Sequence, residues 1–165
     1  MKKMIKDLKI WWTLLYVASI VIVNYAFGVL PILPLGEGIV IPTATFLVGL
    51  IFVFRDFAQR EIGHYVIPAM LLAGVLSYFL ADPTIAIASV TAFLVSEFAD
   101  WAVYSFTGRP FPQRVLLSSA LGTPIDSALF LYMIGFFSIQ GVIIMTLVKM
   151  VGALAVWWMI RKRMS

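Results

Sequence analysis

The sequence contains no cysteine. Disulfides, thiolate zinc sites, iron–sulfur ligation and a cysteine nucleophile are excluded together. Histidine is nearly as scarce: His64 stands alone, so a histidine metal site lacks a second ligand of its kind. Charge is short as well. Only 12% of the 165 residues are Asp, Glu, Lys or Arg, against about 25% in soluble domains. Apolar residues fill the space, at 62% of the chain, with a mean hydropathy of +1.03. A disordered chain is excluded, because too much of its surface leaves water. A soluble globule is excluded too, because a chain this short cannot bury so much apolar side chain beneath a polar surface. The composition specifies an all-α polytopic membrane protein, with length for about six spans of roughly 20 residues.

The expected spans are 10–28, 38–54, 65–80, 84–107, 115–137 and 139–160, forming one transmembrane domain over residues 1–165. The separators are short and carry turn chemistry: Pro31-Ile32-Leu33-Pro34 with Gly36 and Gly38, Asp82-Pro83, Gly108-Arg109-Pro110, and Phe137-Ser138. None has room for a soluble domain. Lys2, Lys3, Lys6 and Lys9 precede the first span, and Arg55 and Arg60 fall between the second and third. Arg109 and Arg114 fall between the fourth and fifth, and Arg161, Lys162 and Arg163 follow the sixth. The other three connections carry neither Lys nor Arg. Six spans therefore put every basic cluster on the cytoplasmic side, with both termini inside. The net charge of +4 follows from this rule rather than from a nucleic-acid surface. Lys2, Lys3 and Lys6 before an apolar run imitate a signal peptide, but five further spans and the interfacial pair Trp11-Trp12 favour a retained first span. Trp157-Trp158 match that pair before Arg161.

Four ionisable residues lie inside apolar segments: Glu97, Asp100, Asp126 and Lys149. Each charge near the bilayer centre costs about 2.5–3.5 kcal/mol on insertion scales, so such residues face a bundle interior or a wet cavity. Hairpin arithmetic predicts equal depth for Asp126 and Lys149, and for Glu97 and Asp126, with Asp100 about one turn nearer the cytoplasm. Ala88, Ala92, Ser96 and Asp100 form an i, i+4 row. Ser119, Thr123 and Asp126 share a face of the fifth span with Phe130 one turn beyond. Ser118 and Gly122 make a small-xxx-small pair for close helix approach. Asn24 adds an amide that both donates and accepts. Asp126 and Lys149 are also readable as a structural ion pair, and Ser119 as a hydroxyl bonded back to its own helix. Glu97 and Asp100 leave an excess of acid, which suits a proton carrier or a ligand rich in N–H donors. Arg55 and Asp56 are placed in the cytoplasmic connector, with Asp56 and Arg60 paired at i, i+4 if the helix continues and Gly63 as its stop. Glu37 is read as an exposed loop charge. No phosphate-binding Gly-x-x-x-x-Gly-Lys loop and no Gly-x-Ser-x-Gly nucleophile occurs, so the chain is read as a non-enzyme without a cofactor.

The stretch from Ser96 through Glu97, Asp100 and Trp101 to Tyr104, followed by Ser118-Ser119-Ala120-Leu121-Gly122-Thr123-Pro124-Ile125-Asp126-Ser127-Ala128-Leu129-Phe130, resembles the queuosine-precursor transporter family. This is the vitamin uptake or YhhQ-type family of small six-helix prokaryotic membrane proteins. Arg55-Asp56 with Gly63 resembles the family's connector between its second and third helices, and Lys149 resembles its last-helix lysine. The resemblance implies a multi-pass protein of the prokaryotic plasma membrane that imports a 7-deazaguanine such as preQ0, preQ1 or queuine. It also implies a helix arrangement like that of the substrate-binding subunits of energy-coupling-factor transporters. The alternative is therefore a substrate-capturing subunit that needs separate ATPase partners. In either case the partners are a purine-like small molecule and the lipid bilayer, with homo-oligomers left open. Glu97, Asp100 or Asp126 would take the N–H donors of such a base. Lys149, Ser119, Thr123 or Asn24 would serve its carbonyl and remaining groups, and Phe46, Trp101 or Phe130 would stack on its face. Pro124 inside the fifth span departs from the family pattern and is expected to kink the helix before Asp126.

Overall fold

A computed structural model describes residues 10–34, 39–83 and 86–164. Lys2, Lys3, Lys6, Lys9, Gly36, Glu37, Gly38 and Thr84 lie outside the described residues. Six α-helices account for most of the rest: α1 (Trp11–Val29), α2 (Thr45–Ile62), α3 (Val66–Leu80), α4 (Ala86–Phe106), α5 (Phe111–Met133) and α6 (Ile139–Met164). A small antiparallel hairpin of β1 (Ile32–Pro34) and β2 (Val40–Pro42) joins α1 to α2, with Leu33 opposite Ile41. Five stretches are long and apolar enough to cross a bilayer: Trp11–Val29, Thr45–Leu80, Ala86–Phe106, Phe111–Met133 and Ile139–Lys162. The chain is an all-α multi-pass membrane protein.

The second of those stretches holds both α2 and α3. Gly63 separates them with φ 61° and ψ −137°, a conformation closed to residues bearing a Cβ. A continuous helix would set Thr45 and Ser77 about 48 Å apart, yet both line one cavity. The chain therefore doubles back at Gly63, and α3 returns alongside α1 and α4.

Helix boundaries correct two expectations. The second helix begins at Thr45 rather than near residue 38, because Val40–Pro42 pair as a strand. It then runs on through Arg55 and Asp56 to Ile62. The fifth helix spans 111–133 instead of 115–137: Pro112 suits its first turn, where a missing N–H costs no bond, and Gly135 at φ 77° follows its end. Pro124 lies within α5 without breaking its helical run.

Small residues let the helices approach. A Cβ added at Gly49 of α2 would lie 1.9 Å from the backbone oxygen of Lys149, and one at Gly152 would lie 3.3 Å from the carbonyl carbon of Gly49. The two backbones touch with no side chain between them. At Gly122 of α5 an added Cβ would meet Phe52 at 2.9 Å and the Cβ of Asp100 at 3.2 Å, so the Ser118–Gly122 pair provides close approach as its spacing predicts. Gly49→Ala is expected to force α2 and α6 apart and to destabilise the bundle by about 1–3 kcal/mol, the range for overpacked cores. Thermal unfolding of the detergent-solubilised protein checks this.

Glu61 links the start of α1 to the end of α2. Its carboxylate accepts from the backbone N–H of Thr13 at 2.9 Å, from that of Trp12 at 3.3 Å and from the Thr13 hydroxyl at 2.9 Å. A carboxylate there satisfies donors that the first helical turn leaves free and complements the helix dipole. Trp12 stacks on Phe57 with centroids 4.3 Å apart, and Phe57 meets Phe111 edge-on. The start of α1, the end of α2, the start of α5 and the end of α6 therefore meet at one end of the bundle. Arg60, Arg109, Arg114, Arg161 and Lys162 belong to these segments or their connection. The β hairpin and residues 134–138 lie at the opposite end.

Candidate functional site

Two polar clusters occupy the interior. The first is a cavity of about 80 Å³ in the half of the bundle nearer the hairpin. Its polar lining is Asn24 of α1, Thr45 of α2, Ser77 of α3, Ser89 of α4, Asp126 of α5 and Lys149 of α6, so all six helices contribute. Ile20, Phe27, Phe93, Phe130 and Met145 supply apolar wall, and Pro42 of the hairpin reaches it. The Lys149 ammonium donates to Asp126 Oδ2 at 2.5 Å and to the Ser127 hydroxyl at 2.9 Å. The Ser96 hydroxyl is 3.3 Å from Asp126 Oδ1. Lys149 is almost fully buried, while Asp126 keeps 13% of its side chain exposed, so the pair is reached from the carboxylate side.

The second cluster is sealed. Arg55 is its centre, with a fully buried side chain. Its guanidinium contacts Asp100 directly, lies 2.8 Å from Asp56 Oδ1 and 3.7 Å from Glu97 Oε2, and donates to Gln59 Oε1. Tyr16 of α1 donates from its hydroxyl to Glu97 Oε2 at 2.8 Å, Ser118 of α5 donates to Asp56 Oδ2 at 2.8 Å, and Gln59 donates to the Ser105 hydroxyl at 2.7 Å. Four helices are tied together by one guanidinium and its carboxylates. Such a set is costly to desolvate and holds only while all partners are present.

This corrects the placement of Arg55 and Asp56, expected in a cytoplasmic loop. They lie inside α2 and face the core with no exposed surface. Their charge ends the apolar run in the sequence, but carboxylates from α4 compensate it in three dimensions. Glu97 and Asp100 are brought to Arg55 and do not line the cavity. The residue of α4 that touches Asp126 is Ser96, because neighbours on a helix point about 100° apart. The pairing of Asp126 with Lys149 is as the hairpin depth predicts. The Ala88, Ala92, Ser96, Asp100 row is buried throughout.

The other expected ligands divide. Asn24 and Phe130 line the cavity, with the Asn24 amide also donating to the Ile20 carbonyl at 2.8 Å. Thr123 is buried and donates back to the Ser119 carbonyl at 2.8 Å, as Ser127 does to the Thr123 carbonyl. Ser119 itself makes no such bond: its hydroxyl is buried and has no hydrogen-bond partner among the described residues. Phe46 is exposed on the bundle surface, and Trp101 packs edge-on against His64 and Phe106 outside the cavity. Neither stands where a ligand in the cavity would stack. Both are aromatics near polar residues in sequence, which does not specify helix rotation. The residues missed are Tyr16, Gln59, Thr45, Ser77, Ser89 and Ser127. Tyr16 and Gln59 had a signal: each is a polar group at core spacing on a helix with small or apolar neighbours. Among the described residues no group of His, Asp and Glu is arranged to hold a metal ion.

No family model matches the chain, and no curated protein or solved structure is significantly similar to it.

Proposed function

We propose that the protein is a six-span importer, with both termini cytoplasmic, that takes a purine-like base of the queuosine-precursor type across a prokaryotic plasma membrane. The observation that carries this is the composition of the cavity. A balanced ion pair and an amide face one another between aromatic and aliphatic walls inside a membrane bundle. A deazaguanine offers adjacent N–H donors, a carbonyl and a flat face. In this reading Asp126 accepts from the donors, Lys149 and Asn24 donate to the carbonyl, and Phe130 covers the ring. The resemblance of the Ser96–Tyr104 and Ser118–Phe130 stretches supports the substrate class.

Position supports the direction. Arg60, Arg109, Arg114, Arg161 and Lys162 belong to the segments that meet at one end, which the charge rule makes cytoplasmic. The cavity lies toward the other end, where an importer meets its substrate. The Arg55 cluster closes the cytoplasmic half beneath it. The volume of about 80 Å³ holds a few waters and falls below the 300–1,000 Å³ of ordinary small-molecule sites. In this reading the cavity must widen around Phe130 to admit the base.

Proteoliposomes containing only this protein should accumulate radiolabelled preQ1 or queuine above empty vesicles, with competition by unlabelled 7-deazaguanines. A chain that moves none of them sinks the proposal. Phe130→Ala should weaken binding about tenfold, equivalent to ~1.4 kcal/mol, while Phe46→Ala should leave it unchanged. Microscale binding measurements distinguish the two.

One observation favours the second reading, a capture subunit with ATPase partners. Trp12, Phe57, Phe111, Val156 and Met159 line an apolar groove of about 570 Å³ at the basic end, with Arg60 at its edge. A partner docked there would sit on the cytoplasmic face. Ligand binding without transport in the proteoliposomes is the result this reading expects.

A further inference from the structure

The sealed cluster is unbalanced in charge. Among the described residues Arg55 is its one cation, while Asp56, Glu97 and Asp100 are three carboxylates, all fully buried. Lys149 does not offset them, because Asp126 and Ser127 engage its ammonium. Fully ionised, the cluster would hold two uncompensated negative charges away from water. Carboxylates crowded in such surroundings take up protons instead.

Glu97 is the group least held by the guanidinium. Its closest approach to Arg55 is 3.7 Å, beyond hydrogen-bond distance, whereas Asp56 stands at 2.8 Å and Asp100 in direct contact. Each of the three carboxylates has one buried oxygen without a hydrogen-bond partner, as has Arg55 Nε, so the distance to the guanidinium is what sets Glu97 apart. The Tyr16 hydroxyl, 2.8 Å from Glu97 Oε2, serves either protonation state: it donates to a carboxylate and accepts from a carboxylic acid.

We propose that the Arg55, Asp56, Glu97, Asp100 cluster is a proton-binding site and that Glu97 carries the proton at neutral pH. The proton comes from the aqueous phase and forms an O–H bond on the Glu97 carboxylate; no other bond changes and no electron moves. The groups bearing on Glu97 are Tyr16 from α1, Arg55 and Asp56 from α2, Asp100 on its own helix, and Asp126 of α5 beyond Ser96, itself paired with Lys149 of α6. α3 contributes no charged side chain. Under the transporter reading, on which this last step rests, the proton is the coupling ion. Ser96 touches the cavity carboxylate and the next residue is Glu97, so a single rotation of α4 alters both sites.

Infrared difference spectroscopy on the full chain in lipid vesicles, in H2O and D2O, reads a protonated carboxyl directly. The expected result at neutral pH is a carboxylic acid C=O band that shifts in D2O, disappears in Glu97→Gln and changes frequency in Tyr16→Phe. Absence of any such band in the wild type overturns the site. A band that survives Glu97→Gln, or is lost instead in Asp56→Asn or Asp100→Asn, overturns the assignment to Glu97. Tyr16→Phe removes only a hydroxyl and keeps the test decisive if Glu97→Gln does not fold. The same vesicles loaded with a pH-sensitive dye test coupling: preQ1 uptake should carry protons inward in the wild type and not in Glu97→Gln. Uptake without proton movement overturns the coupling. The carboxyl band without uptake of any base overturns the transporter reading and supports the proton site.

Discussion

Arg55→Met is expected to destabilise the folded bundle by about 3–5 kcal/mol, the cost of removing one partner from a buried ion pair. Methionine keeps the apolar stem and the volume but withdraws the one cation that, among the described residues, faces Asp56, Glu97 and Asp100. Those carboxylates sit on α2 and α4 with no exposed surface, so water cannot replace the guanidinium without opening the helices. Arg55→Lys should recover part of the loss, since an ammonium restores charge but not the planar fork that reaches Gln59 and the carboxylates together. Adding Asp56→Asn and Asp100→Asn to Arg55→Met should recover more, because the repulsion then disappears along with its counter-charge. Thermal unfolding and the yield of monodisperse protein in detergent read all three. Wild-type stability in Arg55→Met would mean that the guanidinium does not compensate this cluster.

The cavity pair gives the second large effect, and it separates a structural role from a binding one. Lys149→Met alone leaves the Asp126 carboxylate facing Ser96 without its cation. The cost is expected near the low end of about 3–5 kcal/mol, because Asp126 retains access to solvent. Asp126→Asn alone strands a buried ammonium and should cost at least as much. The double variant Asp126→Asn, Lys149→Met removes both charges, and its stability should return close to wild type. Binding and uptake of a deazaguanine should not return. With the carboxylate and the ammonium both gone, the donor pair and the carbonyl lose charge-assisted partners worth about 1.5–3 kcal/mol each, a loss of tenfold or more. A stable double variant with full uptake would make the pair a structural tie and move the substrate site elsewhere. A double-mutant cycle on stability, run beside uptake, provides both readouts.

What could be read along the chain followed from local properties. Apolar composition required a membrane protein, and hydropathy breaks located the helices to within a few residues except at the second. Gly108, read as a turn residue, marks a real break with positive φ, whereas Gly135, also at positive φ, ends the fifth helix inside the apolar stretch expected for its span. Depth was also accessible where two helices share a short hairpin. Asp126 and Lys149 meet because an antiparallel pair with a short turn has one register, set by counting residues.

The interior arrangement was not accessible in the same way. Arg55 reads locally as the end of a span, because a guanidinium alone in lipid is expensive. It lies inside the bundle because Asp100 and Glu97, some 40 residues later, are delivered by another helix. That is a property of packing between α2 and α4, for which no short turn sets the register. Helix rotation decided the rest. Phe46 and Trp101 carry the right chemistry and face away, while Tyr16, with no acidic neighbour in sequence, reaches Glu97 across the core. The sequence by itself determined membrane residence, helical segments and the pairing across one hairpin, all consequences of local hydropathy and chain geometry. Only the tertiary structure decided which charges neutralise one another and which side chains share a cavity. Those outcomes depend on rotations and crossings set by many distant contacts, such as the backbone approach of Gly49 to Lys149.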